Sequence, residues 1–180
     1  MKGIIFTEFL TMVESEFGDE MVDTIITDSN LPSKGAYTSV GTYNHQELFS
    51  LVSSLSKHSK IEVSELVKAY GIHVFTIFTN AYKYMFEGIN DAFSFLDNIE
   101  NGIHVDVLKL YPEAELPHID ISRPDNNTLI LTYSSVRKLA DFAEGLITGC
   151  LDHFKERVII ERENLSDDNS KVKFTLTKVS

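Results

Sequence analysis

Apolar residues recur at helical spacing through the first half of the chain and alternate through much of the second. Ile5, Phe9, Met12, Val13 and Phe17 define one helical stripe, which Gly18 should end. Val22, Ile25 and Ile26 predict a second, shorter helix closed by Asn30-Leu31-Pro32, with loop through 32–35. Asn44 is placed to cap a third helix bearing Leu48, Leu51, Val52 and Leu55 on one face. Ser64 is a candidate cap for a longer helix with Leu66, Val67, Tyr70, Val74, Phe75 and Phe78. That segment is apolar over much of its circumference, so it should be central. Phe93, Phe95, Leu96 and Ile99 form a short helix, Asn101-Gly102 reads as a break, and His104 opens the segment beyond, which ends at Pro112.

From there the period becomes two. Residues 118–122 and 129–135 predict a hairpin around Pro124-Asp125-Asn126-Asn127. An amphipathic helix over 139–154 follows, then a second hairpin, 158–165 and 172–179. Helices followed by hairpin, helix and hairpin predict an α+β fold with a four-stranded antiparallel sheet.

A length of 180 residues fits one domain with room for a core and a ligand cavity. The net charge of −11 argues against nucleic acid and against anionic membrane surfaces, both of which require a basic footprint. Cys150 is the one cysteine, so neither an internal disulfide nor a multi-cysteine zinc site can form within one chain. Glu8 and Glu14 interrupt the first apolar run, and no stretch approaches a membrane span, which predicts a cytoplasmic protein.

Two features carry candidate chemistry. His104 shares a helical face with Val107, Leu108 and Tyr111. An imidazole there either makes a core hydrogen bond or ligates a metal through Nε2 while Nδ1–H meets a carbonyl or carboxylate. No second ligand stands at i+3 or i+4, which speaks against zinc, whereas a five-coordinate haem needs a single imidazole. Read as strand, Tyr133, Ser135 and Arg137 point to one face and offer two hydroxyls and a guanidinium to a carboxylate or phosphate. The plain alternative is a solvated strand face whose arginine pairs with a nearby acid.

Together these features resemble the haem nitric oxide/oxygen-binding (H-NOX) family, to which the soluble guanylate cyclase haem domain is related. The resemblance rests on Ile103-His104 through Tyr111-Pro112, Leu116-Pro117, the Tyr133-x-Ser135-x-Arg137 motif, the start Met1-Lys2-Gly3-Ile4-Ile5, and Glu144-Gly145-Leu146-Ile147-x-Gly149. It covers essentially the whole chain. It implies a single domain, 1–180, with an N-terminal helical subdomain (1–62) and a C-terminal α+β subdomain (63–180), haem b lying between them. By this resemblance His104 is the iron ligand, Tyr133, Ser135 and Arg137 hold the haem propionates, and Pro117 distorts the macrocycle. Ile5, Phe9, Val74, Phe78, Phe142 and Leu146 match or neighbour positions lining the distal side.

Oxygen-binding members of that family carry a distal tyrosine, where this chain has Phe142, with Phe9 and Val74 at the supporting positions. An apolar wall withholds the hydrogen bond that bound O₂ needs and leaves NO and CO binding intact. The expectation is a bacterial stand-alone NO sensor, not an enzyme, that signals by release of His104 and movement of the two lobes. The chain shows no kinase or cyclase motif, so the expected partner acts in trans: a sensor histidine kinase or a cyclic-di-GMP enzyme. The alternatives are an O₂ sensor, if Tyr70, Tyr82 or Tyr84 turns inward, a six-coordinate redox sensor through His73, or a haem enzyme. A peroxidase-like enzyme would need distal acid–base groups in place of Phe and Val. Some bacterial relatives carry a C-terminal zinc site of cysteines and histidine. Here the second hairpin has Glu161-Arg162-Glu163, so that site should be absent, and Cys150 reads as a packing residue.

Overall fold

The computed structural model describes residues 1–179, which divide into two compact units at the Tyr70/Gly71 junction. The division falls inside a helix, after Tyr70, later than the 62/63 boundary expected from the sequence.

The first unit contains α1 (Gly3–Phe17), α2 (Asp19–Asp28), α3 (His45–Ser59) and the first turns of α4 (Val63–Ala81). The stripes read from the sequence supply most of its core: Phe9, Val13, Ile25, Leu51 and Leu55 are fully buried, joined by Phe6, which belongs to none of those stripes. Asn44 caps α3 as expected, its side chain accepting from the Gln46 amide at 3.0 Å. Ser64 does not cap α4. The helix already includes Val63, and the Glu62 carbonyl accepts its first bond, from Leu66 N–H at 3.1 Å. The loop between α2 and α3 is held by a buried carboxylate, Glu47, which accepts from the Ser33 amide (3.3 Å), the Ser33 hydroxyl and the Tyr37 hydroxyl (3.0 Å).

The second unit contains the rest of α4, a 3₁₀ turn (Lys83–Phe86), α5 (Ala92–Asp97), a π-helical turn (Ile99–Ile103), α6 (His104–Leu110), the strands and α7 (Ala140–Phe154). Strands β1 (His118–Ser122), β2 (Thr128–Ser134), β3 (Val158–Asn164) and β4 (Lys171–Lys178) form one antiparallel sheet in the order β1-β2-β4-β3. The predicted α+β architecture is therefore present. Leu129, Leu131 and Tyr133 of β2 and Val172, Phe174 and Leu176 of β4 alternate onto the covered face. Each fully buried leucine or phenylalanine there contributes about 1.5–3 kcal/mol. Their neighbours in the core are Phe93 and Phe95 of α5 and Ile147 and Leu151 of α7.

Helices α4 and α7 meet backbone to backbone. A Cβ on Gly71 would lie 2.4 Å from the Phe142 carbonyl oxygen and 2.9 Å from Gly145 Cα, so only glycine permits the approach.

Two expectations fail locally. The chain does not break at Asn101-Gly102. The Asn98 carbonyl accepts from both Gly102 N–H (2.9 Å) and Ile103 N–H (3.1 Å), and the helix widens into a π turn that runs directly into α6. The Asn98 side chain folds over Gly102, its amide nitrogen within 2.2 Å of where a Cβ would stand. Strand β2 stops at Ser134, so Tyr133, Ser135 and Arg137 do not share a strand face. The chain turns because Ser135 Oγ accepts from the Arg137 amide at 3.2 Å and Lys138 takes a left-handed φ of 56°.

Candidate functional site

His104 is the first residue of α6, and its side chain is 17% exposed. The π turn places Glu100 one turn before it, with Oε1 3.3 Å from Nδ1. Burial pushes the imidazole below its usual range, more strongly than the Glu100 charge draws it up. A neutral ring with Nδ1 beside a carboxylate favours the proton on Nδ1 and the lone pair on Nε2, the form a metal requires.

Glu100 Oε1 also accepts from the Ile119 amide at 2.6 Å, and His118 Nδ1 stands 3.7 Å from it. Ile119 pairs across the sheet with Tyr133. Tyr133 is buried, and its phenol oxygen accepts from the Leu139 amide at 2.9 Å. Burial raises the phenol above its usual range, against the opposing hydrogen bonds from Ser135 and Leu139, so it is a neutral donor. Arg137 Nη2 lies 2.5 Å from Glu115 Oε2, and Nη1 reaches the Glu115 carbonyl at 3.4 Å. The turn thus brings Tyr133, Ser135 and Arg137 together where the strand pleat was expected to do so.

Pro117, half-buried, lies on a segment tethered at both ends. Two residues before it, Glu115 holds Arg137; two residues after it, the Ile119 amide holds Glu100. A cleft of about 520 Å³ opens here, lined by Glu115, Leu116, His118, Ser135, Arg137 and Lys171 among others. Glu100 escaped the sequence reading, although an acid four residues before a histidine on one helix was a usable signal.

The expected distal residues fall in both units. Phe9 is fully buried on α1, edge-on to Tyr70 with ring centroids 5.3 Å apart, and the Ile5 carbonyl accepts from the Tyr70 hydroxyl. In the second unit Val74 is buried on α4, Phe78 packs on Tyr82 at 5.6 Å, and half-buried Phe142 and Leu146 lie on α7 beside the Gly71 contact. Tyr82 and Tyr111 share a hydroxyl–hydroxyl hydrogen bond of 3.1 Å, and Tyr84 is exposed. His73 is half-buried on α4, and Cys150 is buried against the Ala92 carbonyl. Burial raises that thiol above its ordinary range, so it is protonated and unreactive.

Among the described residues no three or more His, Cys, Asp or Glu side chains are grouped to hold a metal ion, and no helix is long and apolar enough to cross a membrane. His104 is a single imidazole in no such group, so an iron held here would need its other ligands from a macrocycle. One neutral imidazole with three donors for carboxylates fits haem in its chemistry.

The sequence model of the Haem-NO-binding family matches residues 2–162. The Fe(II) unliganded H-NOX protein from K. algicida is 40% identical, with TM-score 0.95 over 100% of this chain and 97% of that one. The IWP-051-bound H-NOX from Shewanella woodyi in the Fe(II)CO state is 41% identical, with TM-score 0.85 over 99% and 95%. The S. oneidensis H-NOX protein in the Fe(II)NO state is 28% identical, with TM-score 0.90 over the full length of both chains. No curated protein matches the chain.

Proposed function

We propose that this chain, which belongs to the haem-NO-binding (H-NOX) family, is a ferrous-haem sensor of nitric oxide rather than an enzyme. H-NOX domains bind haem, and this chain has their fold. NO- and CO-ligated proteins stand among its structural relatives. The observation that carries the reading is the geometry at His104: a largely buried imidazole with Nδ1 3.3 Å from the Glu100 carboxylate, which favours Nε2 as the ligand atom.

Haem b, when bound, supplies an iron centre that coordinates a diatomic gas. The residues of this chain do the rest. His104 would hold the iron from one side. Tyr133, Ser135 and Arg137 would donate to the two propionates, a charge-assisted arrangement stronger than neutral hydrogen bonds. Arg137 would then exchange part of its contact with Glu115, which is 75% exposed and loses little by turning to water. Pro117, tethered on both sides, would press on the macrocycle.

Selectivity rests on what the distal residues lack. Phe9, Val74, Phe78, Phe142 and Leu146 have no donor, and the Tyr70 and Tyr82 hydroxyls are engaged with Ile5 and Tyr111. Bound O₂ would forgo roughly 1–1.5 kcal/mol of hydrogen bonding, whereas NO and CO need little of it. Release of His104 from the iron would be the switching step and would free α6 to move. A cytoplasmic partner of the histidine-kinase or cyclic-di-GMP class would read that movement, since a change of state becomes a signal only when a partner distinguishes the two states.

His104→Gly tests the reading. The variant should lose haem on purification and regain it with added imidazole, followed as the haem absorption band. Retention of a normal ferrous haem spectrum without imidazole would refute His104 as the ligand.

A further inference from the structure

One oxygen atom joins the candidate iron ligand to the segment around Pro117. Glu100 Oε1 faces His104 Nδ1 at 3.3 Å and accepts from the Ile119 amide at 2.6 Å. His118 Nδ1, at 3.7 Å, is too far for a hydrogen bond, and its Nε2 is 3.0 Å from Asp120. The backbone geometry that aims the carboxylate is itself unusual: the π turn sets Glu100 against both α6 and the first residues of β1.

We infer that Glu100 is the positioning residue of the iron ligand. It selects the His104 tautomer with the proton on Nδ1, makes Nε2 a stronger donor to iron, and ties any displacement of the ring to Ile119, two residues beyond Pro117. The inference rests on the reading of His104 as ligand. It differs from a purely structural role, in which Glu100 would only fasten the π turn to β1. A structural fastener needs an acceptor for the Ile119 amide, which glutamine also supplies. A positioning carboxylate needs its charge and its approach to an N–H on the imidazole.

The two roles separate in the His104→Gly background, where the imidazole is added from solution. Imidazole carries a second N–H that can donate to Glu100; 1-methylimidazole does not. Titrated into the His104→Gly apoprotein in the presence of haem and followed by absorbance, imidazole should bind about tenfold tighter or more than 1-methylimidazole, the scale of a metal ligand's outer hydrogen bond. In His104→Gly with Glu100→Ala, which leaves no side-chain acceptor, that preference should shrink to near unity. Equal affinities with Glu100 intact would overturn the inference. A preference that survives Glu100→Ala would also overturn it, since it would then reflect only the bulk of the methyl group. If neither base restores the haem spectrum, it is His104 as ligand that falls, a failure distinct from that of Glu100. In the chain with His104 present, Glu100→Gln should lower the iron–histidine stretching frequency of the ferrous protein while leaving its thermal midpoint near the parent's. An unchanged frequency would contradict the inference.

Discussion

Glu47 and Glu100 each gather several donors, and each ties a loop or turn to a helix, yet they have opposite consequences. Glu47 is 6% exposed, and three donors from the 33–37 loop close on one of its oxygens. The Tyr70 hydroxyl in the same unit is likewise spent on the Ile5 carbonyl. Glu100 is 30% exposed, and one of its partners is a ring with a nitrogen left over. Across the sheet from its partner Ile119 is Tyr133, a phenol that still has its proton to give, and four residues on is Arg137, a guanidinium only part-used by Glu115. A polar network that closes on itself is scaffold. One with valences left over is what a ligand needs, and this is the ground of the proposed haem site.

Glu47→Ala should have the largest effect on stability. It strands a backbone amide and two hydroxyls, and should cost about 2–3 kcal/mol by denaturant titration. Glu100→Ala should cost about 1 kcal/mol or less, because water reaches its partners. Equal losses would erase the distinction. Next comes Arg137→Ala, which should speed haem loss by roughly tenfold or more, the worth of a charge-assisted pair, with little change in apoprotein stability. Arg137→Lys should recover only part, since a point charge cannot replace the fork. Haem-transfer kinetics to a scavenger protein would measure both.

The comparison also shows what the sequence could convey. The helical stripes, the Asn44 cap and the two hairpins follow from periodicity and turn chemistry, which are local, and they were legible. The π turn was not, because Gly102 alone reads as a stop. The turn at 135–138 was mistaken for strand because alternation continues through Tyr133, Ser135 and Arg137 after the β ladder has ended. His104 and the three donors were legible as types. Their connection through Glu100 and Ile119 is a contact between residues 19 apart, and no periodicity announces it.

Two smaller effects sharpen the contrast. Phe142→Tyr would bring a donor into the apolar set of the second unit and should raise O₂ affinity about tenfold, one buried hydrogen bond, in an O₂ titration of the ferrous protein. Burial and the Glu47 carboxylate push the Tyr37 phenol up to about 12. An unfolded tyrosine titrates near 10, so this contribution is complete below about pH 10 and is lost as pH rises toward 12. Tyr37→Phe should flatten that part of the alkaline stability profile, and an unchanged slope between pH 10 and 12 would exclude Tyr37 as its source.

The most direct test of the central claim is the absorption spectrum of the ferrous protein, first in air and then with NO. An apolar distal side and a releasable His104 predict no stable oxygen-bound form, followed by a five-coordinate NO spectrum. A stable oxygen-bound spectrum, or an NO spectrum that stays six-coordinate, would contradict the account.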